Sequence, residues 1–485
     1  MEAYRSLQSI KDGLKSGELT LSALVEGYLA RIEATRDLNI YVEVFAAEAK
    51  ARAKTLDEQY AKDPAGTGPL HGLVLSIKDV ICYAGHQVTG GSKILEGFRS
   101  LFSSTAVERL LNAGAIILGR VNCDEFAMGS TNETSVYGPT RHGADPSKIP
   151  GGSSGASAVS VQTGTCLASL GSDTGGSVRQ PAAFCGVVGF KPSYGRISRH
   201  GLLAYGSSFD QIGILAHHVE DVARVLECIA GPDAYDSTAI PDPPEAYSSS
   251  LAFQSPARIA YLDTAINHPN LDPGVRNRSL HLIGWLREAG HTVEEVSFEY
   301  LDYLIPAYYV LTTAEASSNL SRYDGVRFGY RSKEAGSLEA TYKKSRTEGF
   351  GREVKRRIML GAFVLSSGYY DAYYSRAQKV RRLIRDRTEA ILKEYDFILM
   401  PAAPGTAWNL GESLEDPVTM YLADVFTVQA NMAGIPAIAL PVGLHGNGLP
   451  IGVQFMAGFG QESHLLAFSH YFQNHYPIPN VQTDR

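Results

Sequence analysis

The chain has 485 residues, 44% of them hydrophobic and 20% charged, with 51 acidic against 44 basic residues and a net charge of −7. That length builds a large buried core and suggests two to four domains at first sight, and the acidic balance argues against an autonomous polyanion binder. Any RNA contact is expected mainly from another chain.

The N-terminal MEAYRSLQSIKDGL lacks the basic-then-apolar order of a signal peptide, and no run of 18 apolar residues suggests a membrane span. Five widely spaced cysteines (Cys82, Cys123, Cys166, Cys185 and Cys228) form no CxxC pair, which disfavours a disulfide framework or a zinc site. A cytoplasmic protein is the expectation. Residues 3–36 predict two short amphipathic helices parted at Ser16-Gly17, and Ala46 to Lys62 predicts a third. The break at Gly66-Thr67-Gly68-Pro69 leads into an apolar strand, Leu73 to Ile77, that ends on Lys78. Thr105 to Ala113 then predicts a helix and Ala115 to Leu118 a buried strand.

Between Gly151 and Ser177 lies a dense run of glycine and serine, GGSSGASAVSVQTGTCLASLGSDTGGS. A flexible linker has no apolar content, but this run holds Val159, Val161, Cys166, Leu167, Ala168 and Leu170, so it predicts core backbone passing close to something. Residues 231–256, rich in Pro, Ser and Asp, predict a surface excursion. Arg258–Leu262, Val275–Ala289 and Thr292–Val296 continue a strand–helix alternation, and Tyr308 to Leu392 is mainly helical. Phe397–Met400, Ala437–Pro441 and Ile451–Met456 return as apolar strands expected in the same sheet as the glycine-rich segment. No repeat of 20–50 residues is apparent. The expectation is an α/β chain of one large domain, 1–485, with its core at about 20–470 and a helical insertion at about 305–395.

Ser153 and Ser177 are candidate nucleophiles, and Lys78, embedded in apolar sequence, is a candidate desolvated base. Taken singly, each has a plainer explanation: turn serines, and a solvated Lys78–Asp79 ion pair at a strand end. Taken together, LSIKD, PGGSSGAS and GSDTGGSVRQPA resemble the Lys–Ser–Ser triad segments of the amidase signature family, at that family's spacings of 75 and 24 residues. The resemblance spans about residues 20 to 470. It implies the amidase signature fold, a mixed central β-sheet covered by helices on both faces. It further implies Ser177 as nucleophile, Ser153 as a relay held by a cis peptide, and Lys78 as base. The oxyanion is then expected at the backbone of Thr174, Gly175, Gly176 and Ser177, with Asp173 and Arg179 bracing the loop. Ala156 stands where many members have glycine.

Gly151-Gly152-Ser153-Ser154-Gly155 also fits GxSxG, but that elbow needs a buried strand before it, and DPSKIP precedes it here. The sequence has no GxxxxGK[ST] and no HExxH.

The segments 307–331, 348–374 and 421–443 are similar to the glutaminase A subunits of tRNA-dependent amidotransferases acting on glutamyl-tRNA(Gln). That resemblance implies that Arg357 binds the α-carboxylate of free glutamine, Asp424 its α-ammonium, and Tyr308 lines the pocket. Tyr309 and Arg356 are alternatives left open by adjacency. It implies a heterotrimer with B and C subunits, misacylated tRNA held mainly by B, and ATP and magnesium used there, with no cofactor on this chain. A stand-alone amidase for small or aryl amides is the competing expectation, and a non-catalytic scaffold a third.

Overall fold

The computed structural model describes residues 4–412 and 417–477. Among these residues eleven strands form one mixed sheet: β1 (Tyr41–Val44), β2 (Val74–Lys78), β3 (Ile116–Val121), β4 (Ala168–Asp173), β5 (Val188–Lys191), β6 (Gln211–Ala216), β7 (Arg258–Leu262), β8 (Thr292–Val296), β9 (Phe397–Pro401), β10 (Ala437–Leu444) and β11 (Pro450–Met456). Their order across the sheet is β1-β3-β2-β4-β6-β5-β10-β11-β9-β7-β8. β2 runs parallel to β3 and β4, β7 runs parallel to β8 and β9, and the other pairs are antiparallel. The late apolar strands therefore do share a sheet with the glycine-rich segment.

The strands β2 to β6 are buried along their whole length, which is why β2 and β3 read as largely apolar runs rather than alternating ones. The helices expected near the N-terminus are present at Leu7–Ser16 and Leu21–Ala34, with Ser6 and Thr20 hydroxyls capping their first amides. The edge strand β1, only four residues long, has no counterpart among the expected elements.

The glycine- and serine-rich run is buried from Gly151 to Gln162 and again from Thr165 to Cys185. It supplies the helix Gly155–Gln162 and strand β4, and leads into the helix Arg179–Cys185. Small side chains let that first helix lie close against the sheet: a Cβ on Gly171 would meet the Ser154 hydroxyl at 2.8 Å. Ser157 donates to the Leu170 carbonyl, and Ser76 bonds both Ser160 and Ser169, so these buried hydroxyls are paired. The residues immediately before Ser153, 144–152, form no strand, so the GxSxG match is not an elbow. Residues 231–256 are largely irregular and exposed, anchored by the buried Tyr247 and Leu251. The helical stretch after β8 comprises Leu301–Asn319, Leu338–Gly349, Arg352–Val364 and, after a π-helical turn at Tyr370–Ser375, Arg376–Glu394.

Candidate active site

Lys78 is the last residue of β2, and its ammonium nitrogen is fully buried. Its Nζ lies 2.7 Å from Ser153 Oγ, 2.9 Å from Ser154 Oγ and 3.0 Å from Ser172 Oγ. Three neutral hydroxyls cannot compensate a buried ammonium as water does, so burial pulls the amine down to about 8 despite the carboxylates of Asp124, Asp173 and Asp210. Asp79 faces elsewhere: it accepts from the Thr89 and Gly91 amides and pairs with Arg120 at 3.6 Å. Adjacent strand-end residues point to opposite sides, and a solvated Lys78–Asp79 pair does not form.

Ser153 is held by a cis Gly152–Ser153 peptide, as the family resemblance implied. The Gly152 amide donates to Gln180 Oε1 at 2.9 Å. The next amide, that of Ser154, donates to the Ser177 carbonyl at 3.0 Å, which brings the two serine segments together. Ser177 is 7% exposed, the most accessible of the three, and its hydroxyl has no hydrogen-bond partner among the described residues.

Ser177 sits in the turn between β4 and the helix Arg179–Cys185. Asp173 organises that turn. Its carboxylate accepts from the Gly176 and Val178 amides at 2.9 and 3.2 Å and receives Arg179 through Nε and Nη2 at 3.1 and 3.0 Å. Burial would raise its pKa, but the Arg179 guanidinium wins and holds it at about 2. This corrects one expectation. The Gly176 N–H is committed to Asp173 and is not a free oxyanion donor; the Thr174, Gly175 and Ser177 amides have no partner among the described residues. Gly176 is needed for its backbone: φ is +132°, and a Cβ there would lie 2.0 Å from Thr427 Oγ1.

The helical stretch covers this turn. A Cβ on Gly175 would lie 2.5 Å from the Tyr308 ring, so Tyr308 packs directly on the Ser177 loop. Tyr309, one residue on, packs instead against Tyr421 and over the Arg357 guanidinium, 5.1 Å away. Arg357 is buried, whereas Arg356 keeps about a third of its side chain (35%) in solvent, which separates the two neighbours. Arg357 donates from Nε to Glu353 and from Nη1 to the Tyr205 hydroxyl, both at 2.8 Å, and its Nη2 has no partner among the described residues. Asp424 accepts from Ser130 through Oδ2 at 2.8 Å, while Oδ1 is buried and unpaired. Burial pushes this carboxyl up to about 7. One orphaned cationic donor and one orphaned carboxylate oxygen thus lie on the elements packed around the Ser177 loop, a pattern that suits a small zwitterion.

Residues 23–466 match the Amidase family model. The chain belongs to the amidase family. It is 46% identical over 473 residues to the A subunit of the glutamyl-tRNA(Gln) amidotransferase of Chlorobium phaeobacteroides, a match covering 97% of this chain and 99% of that one. The corresponding A subunit of Lachnospira eligens is 48% identical over 93% of this chain and 94% of its own length. Among solved structures, the glutamyl-tRNA(Gln) amidotransferase A subunit of Thermotoga maritima superposes with a TM-score of 0.73 at 38% identity, covering 87% of this chain and 88% of that chain.

Several residues of this amidase site carry no clear mark in the sequence. Ser154 and Ser172 complete the lysine's surroundings, and Asp210 accepts from the Thr174 hydroxyl at 2.7 Å. Ser130 donates to Asp424, Tyr205 and Glu353 accept from Arg357, and Tyr421 donates to Glu353. Only Ser154 has a signal, its adjacency to Ser153; the others come from distant segments and meet through tertiary packing.

Proposed function

We propose that this amidase-family chain is the glutaminase, or A, component of a glutamyl-tRNA(Gln) amidotransferase. The observation that carries the reading is the unpaired Arg357 Nη2 and Asp424 Oδ1 beside the Ser177 loop, which suit the α-carboxylate and α-ammonium of free glutamine. An uncharged amide needs neither.

In this mechanism neutral Lys78 takes a proton from Ser153 as Ser153 takes one from Ser177, and Ser177 Oγ attacks the glutamine γ-carbonyl. The developing oxyanion is met by the free Thr174, Gly175 and Ser177 amides. The proton returns through Ser153 to the leaving nitrogen, ammonia departs, and water hydrolyses the acyl-enzyme to glutamate. The relatives' designation as A subunits supports a multi-component assembly. In that assembly a B subunit uses ATP and magnesium to activate the glutamyl group of misacylated tRNA for attack by the ammonia, and a small C subunit clasps this chain.

The test is the reconstituted complex with Ser177→Ala. Glutamine-dependent transamidation should vanish while ammonium-supported transamidation and assembly persist. Survival of glutamine-dependent activity would refute the nucleophile. Strong hydrolysis of aryl amides by the chain alone, indifferent to its partners, would instead support a free-standing amidase.

A further inference from the structure

Arg357 and Asp424 come from segments 67 residues apart in sequence, yet they must hold the two charges of one small ligand at a fixed separation. One carboxylate links those segments. Glu353, in the first turn of the helix Arg352–Val364, accepts through the same Oε1 from Arg357 Nε at 2.8 Å and from the Tyr421 hydroxyl at 2.9 Å. Tyr421 lies three residues before Asp424, whose amide donates to the Tyr421 carbonyl at 3.3 Å. The other oxygen of Glu353 accepts from Arg356 Nη1 at 2.5 Å.

The geometry points to Glu353 as a positioning residue for substrate recognition: it fixes the Arg357 guanidinium so that Nη2 stays free, and ties it to the segment bearing Asp424. This rests on the glutamine reading above. An ordinary i,i+4 helix pair would lie on a solvated face and would be worth little. Here Glu353 and Arg357 are both buried, the guanidinium is ringed by Tyr205, Tyr309 and Tyr421, and one edge of it is left without a partner. With Nε held by Glu353 and Nη1 by Tyr205, the guanidinium cannot rotate without breaking both bonds, so its free edge is directed before substrate arrives. Arg356 offsets the charge of Glu353. The Arg356–Glu353–Arg357 group therefore keeps one net positive charge for an incoming carboxylate.

The experiment compares glutamine with butyramide, a primary amide lacking both charged groups, in the assembled complex. Glu353→Ala should raise KM for glutamine about 10–100-fold with kcat within about threefold, and leave kcat/KM for butyramide within about threefold. Glu353→Gln keeps an acceptor oxygen and should restore KM to within about fivefold of wild type, and Tyr421→Phe, which cuts only one arm, should raise it about threefold. An equal loss on both substrates would mean a merely structural role and would overturn the proposal. So would a Glu353→Gln variant as impaired as Glu353→Ala. If Glu353→Ala does not fold, an unchanged glutamine KM in Tyr421→Phe overturns the link. A wild-type complex with no preference for glutamine over butyramide would refute the glutamine reading itself, a result separable from the behaviour of Glu353.

Discussion

Replacing Lys78 by arginine separates a proton acceptor from a fixed positive charge. With its pKa brought from 10.5 to about 8, about one Lys78 in ten is neutral at pH 7, against about one in three thousand for an exposed lysine. Burial thus supplies a gain of about 300-fold in the competent base. The rate should rise about tenfold per pH unit up to about 8 and then level off. Lys78→Arg keeps the charge but cannot release a proton near neutrality, so kcat should fall by about 10²–10⁴ at every pH tested.

The assay is ammonia release from glutamine over pH 6–9, with thermal unfolding as the control for folding. kcat reports the enzyme–glutamine complex, in which Asp424 is already paired with the ammonium, so its profile should carry the lysine alone. kcat/KM reports the free enzyme and should steepen below about 7, where Asp424 also gains a proton. The lysine's shift has a stability sign as well. Its folded pKa lies below the unfolded one, so the native state holds fewer protons between about 8 and 10.5 and gains stability as pH rises through that window. Below about 8 the burden is about 3 kcal/mol, so Lys78→Met, inactive, should gain part of that at pH 7 and lose the advantage towards pH 10.5. A Lys78→Arg enzyme within tenfold of wild type, or a kcat flat from pH 6 to 9, would refute the relay.

Asp424→Asn should raise KM for glutamine by about 30–1,000-fold with little change in kcat, and return the acid limb of kcat/KM to a slope of one. Because the Asp424 pKa is raised from 3.8 to about 7, folding favours its protonated form; the ligand-free Asn variant should be the more stable at pH 8, by at most about 4 kcal/mol, with the gap closing as pH falls towards 4. Gly176→Ala, with its Cβ 2.0 Å from Thr427 Oγ1 and φ at +132°, should cost at least about 100-fold in kcat, checked by single-turnover acylation; near-normal turnover would show that the loop tolerates a shift. Arg179→Met leaves Asp173 charged and buried and should destabilise the fold by about 3–5 kcal/mol in denaturant titration, less as pH falls from 3.8 through about 2, where wild-type Asp173 itself takes up a proton.

What could be read in the sequence divides along a physical line. Lys78, Ser153 and Ser177 were legible because close approach of backbone to backbone demands glycine and serine over a contiguous stretch, and a lysine breaking an apolar strand is conspicuous. The strands β4, β5 and β6 were not, since small residues buried on both faces follow neither helical nor alternating periodicity. The role of Gly176 is hidden in the sequence for a related reason. Its glycine is visible, but whether an amide is free depends on where Asp173 turns its carboxylate, and that is fixed by Arg179 reaching Thr427, Gln454 and Asn431 from segments some 250 residues away. The same holds for the choice between Arg356 and Arg357. Both sit on one helix at successive positions, 100° apart, and only packing against the helix Leu301–Asn319 decides which is buried. The buried one keeps an unpaired donor, and with it a reason to bind an anion.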